Sequence, residues 1–162
     1  MTQQRFEDIV LDGVLPQGAR LVVDTRLQNV ILVKGNALLE QVHLGRSEVA
    51  LLYVLCSTFP LGCSFVRLLA AMKDISEEDA HVQLVDAVAL EDKAGYERVL
   101  HPVRALISRL RLDISSLCVD IRPDKEGMYA LVKPLQRRTT TYDRIKASLE
   151  TPGEDTATLR IV

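Results

Sequence analysis

The residues best suited to chemistry in this sequence are arginines set at helical spacing. Within Val103-Arg104-Ala105-Leu106-Ile107-Ser108-Arg109-Leu110-Arg111, a rotation of about 100° per residue puts Arg104, Ser108 and Arg111 on one arc, with Arg109 on its flank. Val103, Leu106, Ile107, Leu110 and Ile114 fall on another arc, which gives an amphipathic helix with a basic outer stripe. A guanidinium donates in a planar fork that fits the O6 and N7 of guanine, or two oxygens of a phosphate. Arg98 precedes this stretch, where it could hold a phosphate, and Lys125 lies in the turn Pro123-Asp124-Lys125-Glu126-Gly127. The chemistry on offer is anion recognition.

Other reactive types are poorly placed. His43, His81 and His101 are far apart and have no Cys or acid at metal-ligand spacing, so no metal site is expected. Cys56, Cys63 and Cys118 form no CxxC pair and read as buried thiols. Glu77-Glu78 belongs to an acidic run and reads as a solvated face. There is no glycine-rich phosphate loop, no GxSxG and no HExxH, so neither enzymatic activity nor a cofactor is expected.

The elements that must position the arginines follow from local pattern. Leu21–Asp24, Val30–Val33, Ala37–Glu40 and Val42–Leu44 are short runs rich in β-branched or aliphatic residues, and Lys34-Gly35-Asn36 is a tight-turn signal. They predict a small antiparallel sheet between about 20 and 44. Gly45 to Cys56 predicts a helix, with Gly45 as its cap and Glu48 where a capping-box carboxylate sits. Phe59-Pro60-Leu61-Gly62 ends it, and Ser64 caps a second helix through Met72. The basic helix is expected to begin at Pro102, a residue favoured at the first helical position, and to run over about 102–114. Two strands within about 118–132 then flank the Pro/Asp/Gly turn as a hairpin. Beyond Pro134 a further short helix to Leu149 is expected, and 151–162 reads as a polar tail.

Charge is divided unevenly along the 162 residues. The formal total is −2, too low for bulk attraction to a polyanion. Residues 73–92 carry seven acids and one lysine, a net of −6, which leaves +4 elsewhere. The apolar residues Val82, Leu84, Val85, Val88 and Leu90 imply that this acidic stretch is a partly packed helix. Between Tyr96 and Arg111 four arginines face Glu97 alone, a local surplus of +3. No apolar run is long enough to span a bilayer, and the first residues lack the layout of a secretion signal, so a cytoplasmic protein without membrane association is expected.

Sheet, helix, helix, basic amphipathic helix and hairpin, in that order, resemble the effector domain of OmpR/PhoB-type bacterial transcription regulators. That family's first helix carries L-T-x-x-E-F-x-L-L, and Leu44-Gly45-Arg46-Ser47-Glu48-Val49-Ala50-Leu51-Leu52 is similar to it, with Gly45 in the place of Thr. Its recognition helix ends V-x-V-H-I-S-R-L-R, which resembles Val103 to Arg111, and its hairpin closes on G-Y, which resembles Gly127-Met128-Tyr129 with one residue inserted. Three features depart from the family: Leu112-Asp113 stands where it continues with Lys or Arg, an acidic insertion occupies 73–95, and only about 20 residues precede the sheet. The last departure predicts that no receiver domain is attached.

The resemblance implies an α+β fold, a winged helix-turn-helix with a small N-terminal antiparallel sheet and a C-terminal β-hairpin wing. It implies an extension over 1–19, the winged domain over 20–133 and a tail over 134–162. The implied function is sequence-specific transcription regulation on double-stranded DNA, by a homodimer or by tandem binding. Arg98, Arg104, Ser108, Arg109, Arg111 and Lys125 are the DNA-binding candidates, with the helix in the major groove and the wing near the minor groove. Some of these residues keep a second reading: Arg109 as the partner of an acid in the insertion, Lys125 as part of a soluble turn. Leu112-Asp113, the acidic insertion and the net −2 also fit another class, a winged-helix module that docks RNA polymerase or another regulatory protein.

Overall fold

A computed structural model describes residues 6–89 and 93–135. It is an α+β fold whose four-stranded antiparallel sheet has the order β1 (Phe6–Ile9), β2 (Ala19–Asp24), β3 (Asn29–Lys34), β4 (Ala37–His43). Four helices follow, α1 (Arg46–Thr58), α2 (Phe65–Lys73), α3 (Glu77–Ala89) and α4 (Lys93–Asp113). A hairpin of β5 (Asp120–Pro123) and β6 (Tyr129–Val132) closes the described chain.

The sheet starts earlier than the sequence suggests. Residues 6–9, expected in an extension, pair with β2 from Phe6↔Asp24 to Ile9↔Leu21. Leu11, Val14 and Leu15 are buried just beyond. A four-residue strand with two acids has little local signature, and its identity comes from the partner it finds across the intervening turn. The tyrosine hydroxyl of Tyr53 on α1 donates to Glu7 Oε1 at 3.1 Å, which ties this strand to the helices. The β3–β4 turn is as expected: Lys34 pairs with Ala37 around Gly35-Asn36, and Gly35 takes the positive φ of 60° that such a turn needs.

Helices α1 and α2 follow their local signals. Gly45 caps α1, and the Ser64 hydroxyl accepts from the Arg67 N–H at the start of α2. Leu51, Leu52 and Leu55 of α1 join Leu68 and Leu69 of α2, Val103, Ile107 and Leu110 of α4, and Leu21 and Val23 of β2 in one core. The acidic stretch holds a helix, as expected, but its small residues Ala80 and Ala87 face inward.

Helix α4 departs most from expectation. It starts at Lys93 and not at Pro102, so Pro102 lies inside it. An interior proline removes a backbone donor and crowds the carbonyl four residues back, a cost of about 3 kcal/mol. Leu100 and Val103 are both buried, so the apolar seam runs through the proline and its burial outweighs that cost. The hairpin lies where the sequence puts it, within two residues at each end. The expected helix from Pro134 to Leu149 and the polar tail lie outside the described residues. Among the described residues, no helix is long and apolar enough to cross a membrane.

Candidate nucleic-acid interface

Helix α4 presents its expected faces. Val103, Ile107 and Leu110 are buried, as is Ile114 just past the end of α4, and Leu106 is half-buried, while Arg104, Ser108 and Arg111 are exposed. By helical rotation Glu97 and His101 share the arc with these three, which spans about 80°. Arg98, expected ahead of the helix, lies inside it. With Arg109 it projects about 100–120° away from the middle of that arc. The six candidates therefore divide into a stripe of three, an edge of two, and Lys125 on the hairpin.

The stripe is joined to the hairpin by one carboxylate. Arg111 donates from Nε and Nη2 to the two oxygens of Asp120 at 2.9 and 3.3 Å, and Arg122 Nε donates to Asp120 Oδ2 at 3.1 Å. Asp120 also accepts from the Ile121 N–H at 2.8 Å. Burial works to raise the Asp120 carboxyl, but the bonds from Arg111, Ile121 and Arg122 outweigh it and hold the group below the usual carboxylate range. Two cations on one anion leave a surplus positive charge where helix meets hairpin. Arg104 makes a looser pair with Glu97 at 3.7 Å.

Arg109 belongs to a different cluster. Glu48, in the first turn of α1, is only 6% exposed, and its Oε2 has no hydrogen-bond partner among the described residues. Burial, then the neighbouring Asp113 carboxyl, push its own carboxyl up to about 7; the charge of Arg109 and the backbone at Gly45 oppose them. Glu48 Oε1 lies close to Gly45, where a capping-box carboxylate is expected, but the cap residue has no side chain to complete the box. Arg109 thus acts on a buried acid of α1, and among the described residues no salt bridge joins it to the acidic insertion. The insertion's Glu77 pairs instead with Arg67 of α2, at 2.9 Å.

Lys125 stands exposed at the tip of a turn organised by its neighbour. Asp124 Oδ1 accepts from the N–H groups of Glu126 and Met128, at 2.8 and 3.0 Å, and Gly127 adopts φ +78°. The turn end of the hairpin is pinned to the α1–α2 link, because Cys63 and Tyr129 exchange both backbone bonds, at 2.6 and 3.0 Å. Gly62 permits this approach: a Cβ there would meet Asp124 Oδ2 and Met128 Cβ at 2.8 Å.

Between α4 and the hairpin lies an open groove of about 640 Å³, with Ser108, Arg111, Asp120 and Arg122 on its walls. Leu112 and Leu135, 76% and 73% exposed, flank it. Sequence reasoning missed Asp120 and Arg122. Their alternation about buried Ile121 was the available signal, since it puts both on one face of β5. Among the described residues no three His, Cys, Asp or Glu side chains form a metal-binding group. His43 faces Asn29 at 3.1 Å, and burial pushes the Cys56 and Cys63 thiols up to about 12 and 11. No family model matches the chain, nor does any curated protein or solved structure.

Proposed function

We propose that this chain is a sequence-specific DNA-binding transcription regulator of winged helix-turn-helix form. In this reading α4 enters the major groove and the β5–β6 hairpin lies along the neighbouring backbone or minor groove. The order α1, bridging residue Cys63, α2, α4, β5, β6 supports it, with α3 as an added helix between α2 and α4. The observation that carries it is the Arg111–Asp120–Arg122 knot, which sets positive groups of helix and hairpin side by side next to exposed Ser108 and Arg104.

The test is a selection of bound fragments from random DNA, followed by titration of the recovered site. Arg104→Ala with Arg111→Ala is expected to weaken binding at least tenfold, since each good bidentate contact is worth ~1–3 kcal/mol. Undiminished binding by the double variant would remove α4 from the interface. Spacing of the recovered half-sites would distinguish a homodimer from tandem binding.

A second reading, docking of RNA polymerase or another regulatory protein, is favoured by Leu112 and Leu135 beside the groove. Exposed leucines suit a protein contact better than a phosphate. Failure to retain any DNA, together with co-purification of a protein, would select it.

A further inference from the structure

Helix α3 carries its larger apolar residues on the outside. Ala80 and Ala87 are buried, whereas Val82, Val85 and Val88 are 51%, 50% and 60% exposed. A spacing of three aligns the valines in one stripe, and at about 100° per residue Glu78 and Asp86 border it. β-Branched residues are mediocre helix formers, and a surface row of them exposes apolar area with no gain from burial. The helix holds four acids, Glu77, Glu78, Asp79 and Asp86, and neither Lys nor Arg. A second copy of α3 would meet it with the same acids, and a nucleic acid would meet it with phosphates. The fitting occupant is apolar on one side and basic beside it.

The chain contains such a segment. Tyr142, Ile145 and Leu149 recur at helical spacing, and Arg137, Arg138, Arg144 and Lys146 surround them with Asp143 as the one acid between 137 and 149. The described chain ends at Leu135, beside the last turns of α4, and α4 is one of the helices that α3 packs against. The residues between Leu135 and Tyr142 reach roughly 20 Å when extended, as far as about 13 residues of helix. We propose that the basic amphipathic segment 137–149 docks on the Val82, Val85 and Val88 face of α3 in the same chain. The contact sets apolar residues against apolar and bases against acids, and it holds whether or not the chain binds DNA.

Hydrogen exchange on the full chain reads both partners. In the wild type, the amides of 142–149 are expected to exchange at least about tenfold more slowly than in a free peptide. That protection should weaken in about 0.5 M salt, which screens the charge pairing. Val85→Asp, at an exposed position, should release 142–149 and leave the melting temperature of the core unchanged. Ile145→Asp with Leu149→Asp should speed exchange in α3 in turn. Free-peptide rates at 142–149 in the wild type, or α3 exchange indifferent to the tail substitutions, would overturn the proposal. Light scattering separates the sources: protection in the monomer supports docking within one chain, and protection lost on dilution from dimer to monomer overturns it in favour of a second copy.

Discussion

Glu48 and Asp120 are two carboxylates with opposite fates. Glu48 holds its proton more tightly in the folded chain than in the unfolded one, so folding loses stability as that proton leaves. Below pH 4.5 the group is mostly protonated in both states; between 4.5 and about 7 stability falls, and above that the loss is complete. The difference corresponds to about 3 kcal/mol. Glu48→Gln should therefore raise the urea midpoint at about pH 8 and leave it nearly unchanged at about pH 4. An equal shift at both would show that ionisation of Glu48 carries no penalty. Asp120 instead organises two cations. By charge alone, Asp120→Asn should tighten binding to DNA. If the carboxylate's role is to hold Arg111 and Arg122 in register, the variant should bind several-fold more weakly at equal melting temperature, since each charge-assisted bond it loses is worth about 1.5–3 kcal/mol. Tighter binding in an anisotropy titration would reject that role and leave the DNA reading intact.

Elements were legible where their signals are local. The two faces of α4 followed from periodicity, the start of α2 from Ser64, and the β3–β4 turn from Gly35-Asn36. What escaped depends on distant partners. β1 needs β2, the first nine residues of α4 need the core under Leu100, and Arg111 needs Asp120 across the turn into the hairpin. Proline chemistry misled at residue 102, where a rule about helix starts lost to burial on both sides of it. The junction of hairpin and α1–α2 link was hidden for the same reason, and it is where a single methyl should matter. Gly62→Ala places a carbon 2.8 Å from Met128 Cβ and Asp124 Oδ2. Overpacking of this kind costs ~1–3 kcal/mol. A lower melting temperature, with faster amide exchange over 124–129, would bear this out; an unchanged melt would mean that the turn yields freely.

Across the whole molecule, charge is sorted more than it is abundant. The acids of α3 and the bases of α4 and the hairpin lie on different elements, and the total of −2 conceals both. On the DNA-binding proposal, affinity should then come from a few fixed contacts. Neutralising about four phosphates with Arg104, Arg111, Arg122 and Lys125 predicts a slope of about −3 to −4 in log K against log salt. The Arg104→Ala, Arg111→Ala variant should flatten that slope by about 2. A slope near zero for the wild type, measured by anisotropy across a range of salt, would favour protein docking.

The sheet holds a safeguard of its own. Leu32 faces Glu40 and Val33 faces Leu38, so Leu39 is an extra residue in β4 with no counterpart on β3. β4 is an outer strand of the sheet, and Leu38 and Leu39 are both exposed on it. A straight, greasy margin of that kind would template the addition of strands from neighbouring molecules. The bulge bends the margin and breaks the even spacing of its donors and acceptors. One leucine beyond the register therefore makes this margin a poorer template for an added strand.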